Sequence, residues 1–345
     1  MNRLLTIAVK SVAANLLPED LFDPGLDLAS VRRLFATYVR VVEIENHSYC
    51  NRTCSFCPNA QIDRRSVNHL LTGSVYEKIL SDLSSIDYAQ SLIWSRYHEP
   101  LAHDSIVERI AQARRAMPKA HLVLVSNGDY LNREFLRRLE QAGADRIMLD
   151  LYLPEGRERD AVVIDRELKK FTDRTGLHLS PNGNYEFRCG GSRIDITMGV
   201  PLYTAANMST RGGLVQVTEL MAHQRTAVCF NPLHSVVIDY NGKGMLCCQV
   251  RSDAPQHAES VIGNLSDPAY GIFHLYRDLA PARRGLLTPG PKLGVCRTCT
   301  VSAVGPDRLA RRQSVASLAS RVPGVQAGLR LAVRFASRQR KYEIG

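Results

Sequence analysis

No apolar run in this 345-residue sequence approaches the ~18–20 residues needed to span a bilayer, so no transmembrane helix is predicted. The first twenty residues, MNRLLTIAVKSVAANLLPED, reach Lys10 after a short apolar stretch. No small-residue cleavage site follows, so no secretory signal is expected. There is no internal repeat and no low-complexity tract. With 45% hydrophobic and 23% charged residues, the composition excludes a wholly disordered, collagen-like or coiled-coil chain. Acidic residues are scarce in one place only. Residues 301–345 hold nine basic side chains against Asp307 and Glu343, which accounts for +7 of the formal net charge of +10. Basic character therefore belongs to a tail, and the remainder gives no reason to expect a nucleic-acid enzyme. In that tail arginines alternate with Val325, Leu329, Ala332 and Phe335. This pattern suits a partly helical extension or a weak contact with anionic membrane, and Phe335 and Tyr342 are too few aromatics for specific single-strand recognition.

The nine cysteines are plentiful for a cytoplasmic chain, where thiols stay reduced and serve metals or catalysis more often than disulfides. They are clustered. Cys50, Cys54 and Cys57 form one tight group; Cys229, Cys247, Cys248, Cys296 and Cys299 form a dispersed one; Cys189 stands alone.

Short β-branched runs at 41–45, 91–94, 121–125 and 146–151 alternate with helical patterns at 74–83, 104–116, 132–142 and 160–171. That spacing predicts βαβ units on a parallel sheet, with the chemistry on loops leaving the strands' C-terminal ends. Asp104 is the expected N-cap of one helix, and Gly143 the C-terminal glycine of another. Beyond about residue 180 the alternation fades. Residues 235–240, Asn241-Gly242 and 245–247 read as a hairpin.

Cys50-x₃-Cys54-x₂-Cys57 follows the first strand directly. Three thiolates at this spacing ligate three irons of a cubane and leave the fourth open. The rival is zinc with a remote fourth ligand, His47 being the near candidate. Cys229, a hairpin, Cys247 and then Cys296-x₂-Cys299 make a second set of four thiols, closed, and suited to a [4Fe–4S] cluster or structural zinc.

The first motif, with Phe56 inside it, resembles the signature of the radical S-adenosylmethionine (SAM) superfamily. The resemblance implies that Cys50, Cys54 and Cys57 bind a [4Fe–4S] cluster whose open iron chelates SAM, and that Phe56 packs near the adenine. Glu99-Pro100 resembles the family's segment after the second strand that contacts the SAM amino group, with Arg96 and His98 where glycines are usual. Ser126-Asn127-Gly128 resembles the segment near the ribose. The second set resembles the shorter twitch form of a SPASM extension, implying one auxiliary [4Fe–4S] cluster on Cys229, Cys247, Cys296 and Cys299. Spacing alone selects Cys247 over Cys248. The implied fold is α/β, a partial (β/α)₆ barrel followed by a small loop-rich cluster-binding module. The expected divisions are 1–40 (helical extension), 41–200 (core), 201–300 (cluster module) and 301–345 (tail).

The implied activity is hydrogen abstraction from a small metabolite of sugar, nucleoside or aminocyclitol type in natural-product biosynthesis, ending in oxidation or bond formation. Flavodoxin or ferredoxin is the expected reductant. Epimerisation with Cys248 or Cys189 as hydrogen donor starts from the same chemistry. A peptide-modifying maturase and a non-catalytic zinc or iron–sulfur protein are the alternatives.

Overall fold

The computed structural model describes residues 17–301, apart from 155 and 206. The expected tail helix and its lipid contact, and residues 1–16 of the N-terminal extension, lie outside the described residues.

Ten strands among the described residues form one sheet. They are β1 (Val41–Ile44), β2 (Ser91–Trp94), β3 (His121–Ser126), β4 (Arg146–Asp150), β5 (His178–Gly183), β6 (Glu186–Gly190), β7 (Asp195–Gly199), β8 (Ser235–Ile238), β9 (Lys243–Met245) and β10 (Val261–Asn264). Their order is β10-β9-β8-β1-β2-β3-β4-β7-β6-β5. The central six, from β8 to β7, are parallel, and the two outer pairs run antiparallel. The mixed α/β, parallel-rich architecture is the expected one.

Between the parallel strands run α1 (Leu28–Tyr38), which precedes β1, then α2 (Gly73–Ser84), α3 (Ser105–Ala116), α4 (Arg133–Ala142) and α5 (Ala161–Thr175). Their starts are set by short polar caps. Thr72 accepts from the Val75 N–H, Asn132 from Phe135 and Asp160 from Val163. Gly143 closes α4 at φ +92°, as expected of a left-handed C-cap. Asp104 departs from expectation. It precedes α3 but its backbone is already helical and its side chain caps nothing, accepting instead from Arg138 Nη1 at 3.2 Å.

The alternation of side chains along each strand divides the sheet's two faces. Val42 and Ile44, Leu92 and Trp94, Leu122 and Leu124, Ile147 and Leu149, and Val236 and Ile238 all enter the helix-facing core. Each contributes about 1.5–3 kcal/mol by burial. The alternate positions mix the partly covered polar residues Glu43, Asp150 and Thr197 with the buried apolar Ile93, Val123 and Val237. At their C-terminal ends the strands run into Glu45, Ser95, Asn127 and Asp239.

Two features were not foreseen. The β5–β6 hairpin and β7 extend the sheet where alternation was read as fading. β5 carries Pro181 and Gly183, is almost wholly exposed, and lies at the sheet's edge, where proline is tolerated. The 235–247 hairpin forms as expected, but β8 pairs in parallel with β1 and so belongs to the same sheet as the core strands. No helix among the described residues is long and apolar enough to cross a membrane.

Candidate active site

The Cys50–Cys57 loop leaves the end of β1 and is stitched to the ends of β2, β3 and β4. The Cys50 N–H donates to Arg64 O (3.1 Å) and the Cys57 N–H to Cys54 O (2.9 Å). Arg52 grips Asp129 with Nε and Nη2 at 2.7 and 2.6 Å and reaches Tyr152 O at 3.1 Å. Asn51 donates to Asp129 (2.7 Å) and accepts from Asn127 Nδ2 (2.9 Å). The loop between the thiols is thus held by the Asn127 and Asp129 side chains after β3 and by the Tyr152 carbonyl after β4.

Glu99 is 2% exposed rather than solvated. Its carboxylate accepts from Ser126 Oγ (2.6 Å), the Asn127 N–H (2.8 Å) and the Leu101 N–H (3.0 Å). Burial pushes its pKa up to about 7, against the pull of these three donors. Glu99, Ser126 and Asn127, expected separately at a SAM site, therefore form one hydrogen-bonded group. Phe56 stacks on Tyr203 (3.8 Å between centroids, 25°) with Tyr152 at 5.2 Å, so an aromatic patch borders the loop.

Arg96 sits at φ +89°, the left-handed region where glycine is at home. Its guanidinium crosses to the end of β8, pairing with Asp239 and donating to Val250 O. His98 is buried, with Nδ1 at 2.9 Å from Ser95 O and Nε2 accepting from the Asn46 N–H (3.3 Å). Both side chains thus find structural partners where glycines were expected. His47 faces His98 and His103, at 4.9 and 6.0 Å between centroids, and burial and those rings depress its pKa to about 2. It sits among histidines, which gives no support to a fourth zinc ligand.

The cysteines fall into groups by what surrounds each thiol. Burial pushes Cys50 up to about 12 and Cys54 to about 11, and each feels the other thiols of the loop. Burial raises Cys57 as well. In the second group, burial and then Cys248, Cys296 and Cys299 raise Cys247, while Cys229 and Cys299 act on Cys296. Cys248 sits apart from Cys296 and Cys299: burial and Glu43 push it to about 11, and Gln249, Arg211 and Arg96 oppose them. Cys189 is a core thiol on β6, raised to about 12 by burial alone.

No three His, Cys, Asp or Glu groups among the described residues stand in a metal-ligating arrangement. The donor chemistry nevertheless fits thiolate-bound metal. The backbone N–H two residues ahead favours the thiolate of Cys50 (from Arg52), Cys57 (Asn59), Cys247 (Gln249) and Cys299 (Val301). Cys189, Cys248 and also Cys296 have no such backbone donor.

Two residues that sequence reading passed over complete the polar face. Glu43 accepts from Ser95 Oγ, and its pKa is raised by burial. Its signal was an acid inside the β-branched run 41–45. Arg211 has φ +47° and no acceptor for its guanidinium among the described residues, with Tyr97, Cys248, Cys57 and Tyr203 around it. In the sequence nothing marks it beyond the adjacent Gly212-Gly213 pair. An open groove of about 580 Å³ lies beside Tyr49, Thr53, Asn59 and Arg65, on the thiol loop, with no cysteine among its lining residues.

Residues 47–174 match the model of the Radical SAM superfamily. The chain is 26% identical over 174 residues to the S-adenosyl-L-methionine-dependent 2-deoxy-scyllo-inosamine dehydrogenase of Niallia circulans, covering 49% of this chain and 65% of that protein. The match thus spans less than two thirds of that relative's length. The fold is similar to the crystal structure of BtrN in complex with AdoMet and 2-DOIA, at a TM-score of 0.51 and 20% identity over 72% of this chain and 87% of that one.

Proposed function

With residues 47–174 a radical SAM superfamily domain, we propose that the chain is a radical SAM enzyme oxidising an alcohol of a small polyhydroxylated ring, an aminocyclitol being the first choice. The observation that carries the reading is the three-thiol loop joined through Asn51 and Asn127 to the buried Glu99. The likeness to a 2-deoxy-scyllo-inosamine dehydrogenase supports the substrate class. In this reading the six parallel strands are a partial barrel and residues 201–300 a twitch-like module.

When a [4Fe–4S] cluster and SAM are bound at Cys50, Cys54 and Cys57 and a second cluster at Cys229, Cys247, Cys296 and Cys299, they supply hydrogen-atom abstraction and a one-electron acceptor. The chain's own residues do the rest. Glu99, Ser126 and Asn127 orient the SAM amino acid and ribose, and Phe56 with Tyr203 forms the face for the adenine. Glu43 and Asp150 accept from substrate amine or hydroxyl groups on the polar face, and Arg211 donates to substrate oxygens. Alcohol to ketone then releases one hydrogen atom, one proton and one electron. A flavodoxin or ferredoxin is the proposed reductant.

A second reading rests on Cys248. Its thiol, held protonated beside Glu43 and Arg211, would return a hydrogen atom and give epimerisation. The experiment incubates reconstituted, reduced protein with SAM and 2-deoxy-scyllo-inosamine in D₂O. Oxidation gives a product two mass units lighter with stoichiometric 5′-deoxyadenosine. Epimerisation gives unchanged oxidation level with one deuterium gained. Loss of neither hydrogen nor SAM across a panel of cyclitols, sugars and nucleosides would sink the substrate class.

A further inference from the structure

We propose that Arg225 and Lys292 supply the counter-charge of the four-thiol site, and that Arg225 raises the reduction potential of the cluster held there. The inference rests on the reading above that Cys229, Cys247, Cys296 and Cys299 hold a [4Fe–4S] cluster.

Arg225 is 1% exposed and Lys292 5% exposed. Neither forms an ion pair among the described residues. Arg225 donates to the carbonyls of Ala227 (3.1 Å), Val228 (3.0 Å), Cys299 (3.3 Å) and Val301 (2.6 Å), and to Cys299 Sγ at 3.7 Å. Lys292 Nζ donates to Gly285 O (2.9 Å) and Thr288 O. Every acceptor but the sulfur is a neutral carbonyl.

Elsewhere Arg64 meets Glu45 and Asp253, Arg96 meets Asp239 and Arg251 meets Asp253, while Arg211, which also lacks an acceptor among the described residues, lies beside Tyr97, Tyr203, Cys57 and Cys248. Arg283 also has only carbonyl acceptors, but its guanidinium lies 4.3 Å from the centre of the Tyr276 ring. Among the described residues Arg225 has neither a carboxylate nor a ring contact of this kind. Arginine stays protonated, and a buried cation without a counter-charge costs several kcal/mol.

The four thiols stand where that charge is needed. Arg225 acts on Cys296 and Cys299, Lys292 acts on Cys296, and no acidic residue appears among the groups acting on either thiol. Protonated thiols would supply no counter-charge. Four thiolates around a dicationic cubane leave two net negative charges, matched by one guanidinium and one ammonium. The backbone fixes this arrangement. The Arg225 N–H donates to Arg297 O (2.7 Å), the Lys292 N–H to Arg225 O (2.9 Å) and the Cys229 N–H to Leu286 O (2.9 Å). A fixed cation and an N–H aimed at a ligand sulfur both stabilise the reduced, more negative cluster, which raises its potential.

The test uses the full chain carrying C50A, C54A and C57A, so that only the second cluster contributes. Iron and sulfide are counted, and the potential is read by redox titration followed by EPR, with and without R225Q or K292M. The expected result is full iron in all three proteins. R225Q should lose at least tenfold in the equilibrium constant for reduction, about 59 mV for one electron. K292M should shift the same way by less, and it decides the matter if R225Q does not fold. Unchanged potentials with full iron overturn the role of the two cations while leaving the cluster reading intact. Zinc without iron in the parent overturns the cluster reading and this inference with it.

Discussion

The two thiol groups differ in how the charge around them is met. Near Cys50, Cys54 and Cys57 most cations are committed, Arg52 to Asp129 and Arg64 to Glu45 and Asp253, and Arg211 beside Cys57 is the exception among the described residues. Near Cys229, Cys247, Cys296 and Cys299 two buried cations have no carboxylate partner among the described residues. A three-thiol site whose cations are mostly paired, with Arg211 left over, suits a ligand that brings both signs of its own, as the amino and carboxylate ends of an amino acid do. A four-thiol site facing uncompensated cations suits a closed anionic group that gains an electron. The contrast teaches that the sites differ in electrostatic role as well as in ligand number.

The sharpest way to break this contrast is Cys54→Ala. Iron should fall from about eight to about four per chain, and 5′-deoxyadenosine release to the level of a protein-free control. Retained release would erase the distinction between the sites. Next comes the vicinal pair. Cys247→Ala should remove about four irons and leave the first site loaded, whereas Cys248→Ala should remove none. Iron loss in the second variant alone would exchange the two assignments.

Asp253→Asn probes the balanced side. Burial alone would raise the Asp253 pKa, but hydrogen bonds from Arg251 and the charges of Arg64 and Arg251 pull it down to about 2. A depressed carboxylate contributes stability above its ordinary pKa and loses it as pH falls through the folded value. Wild type should therefore exceed the variant by about 2 kcal/mol at neutral pH, with the two curves converging between about pH 4 and 2 in chemical denaturation. A constant gap across that window would remove the charge contribution. The smallest effect belongs to Glu43→Gln, which should raise the substrate KM about tenfold with unchanged iron content. An unaltered KM would take Glu43 out of the substrate face.

Much of this was legible in the residues. Strands β1 to β4 announce themselves as short apolar runs and the hairpin by Asn241-Gly242, whereas the one N-cap read from the sequence, Asp104, caps nothing. The cysteine spacings suggest both proposed sites because ligands must come at fixed offsets. What escaped is non-local. No pattern in 235–238 says that it will pair with β1, and the exposed, proline-bearing β5 carries no apolar signal. Arg96 reads as a departure from a glycine until Asp239 and Val250, more than a hundred residues away, are seen to hold it. Arg225 and Lys292 look like any other basic residues, because what distinguishes them is the missing carboxylate, which only packing reveals.

The central claim, radical SAM chemistry at the three-thiol loop, is tested most directly by reducing the iron-loaded full chain with SAM and measuring 5′-deoxyadenosine. The account predicts release that requires both SAM and reductant and disappears with Cys50→Ala. A fully iron-loaded, reduced chain that leaves SAM intact, with and without the cyclitol substrate, would contradict it.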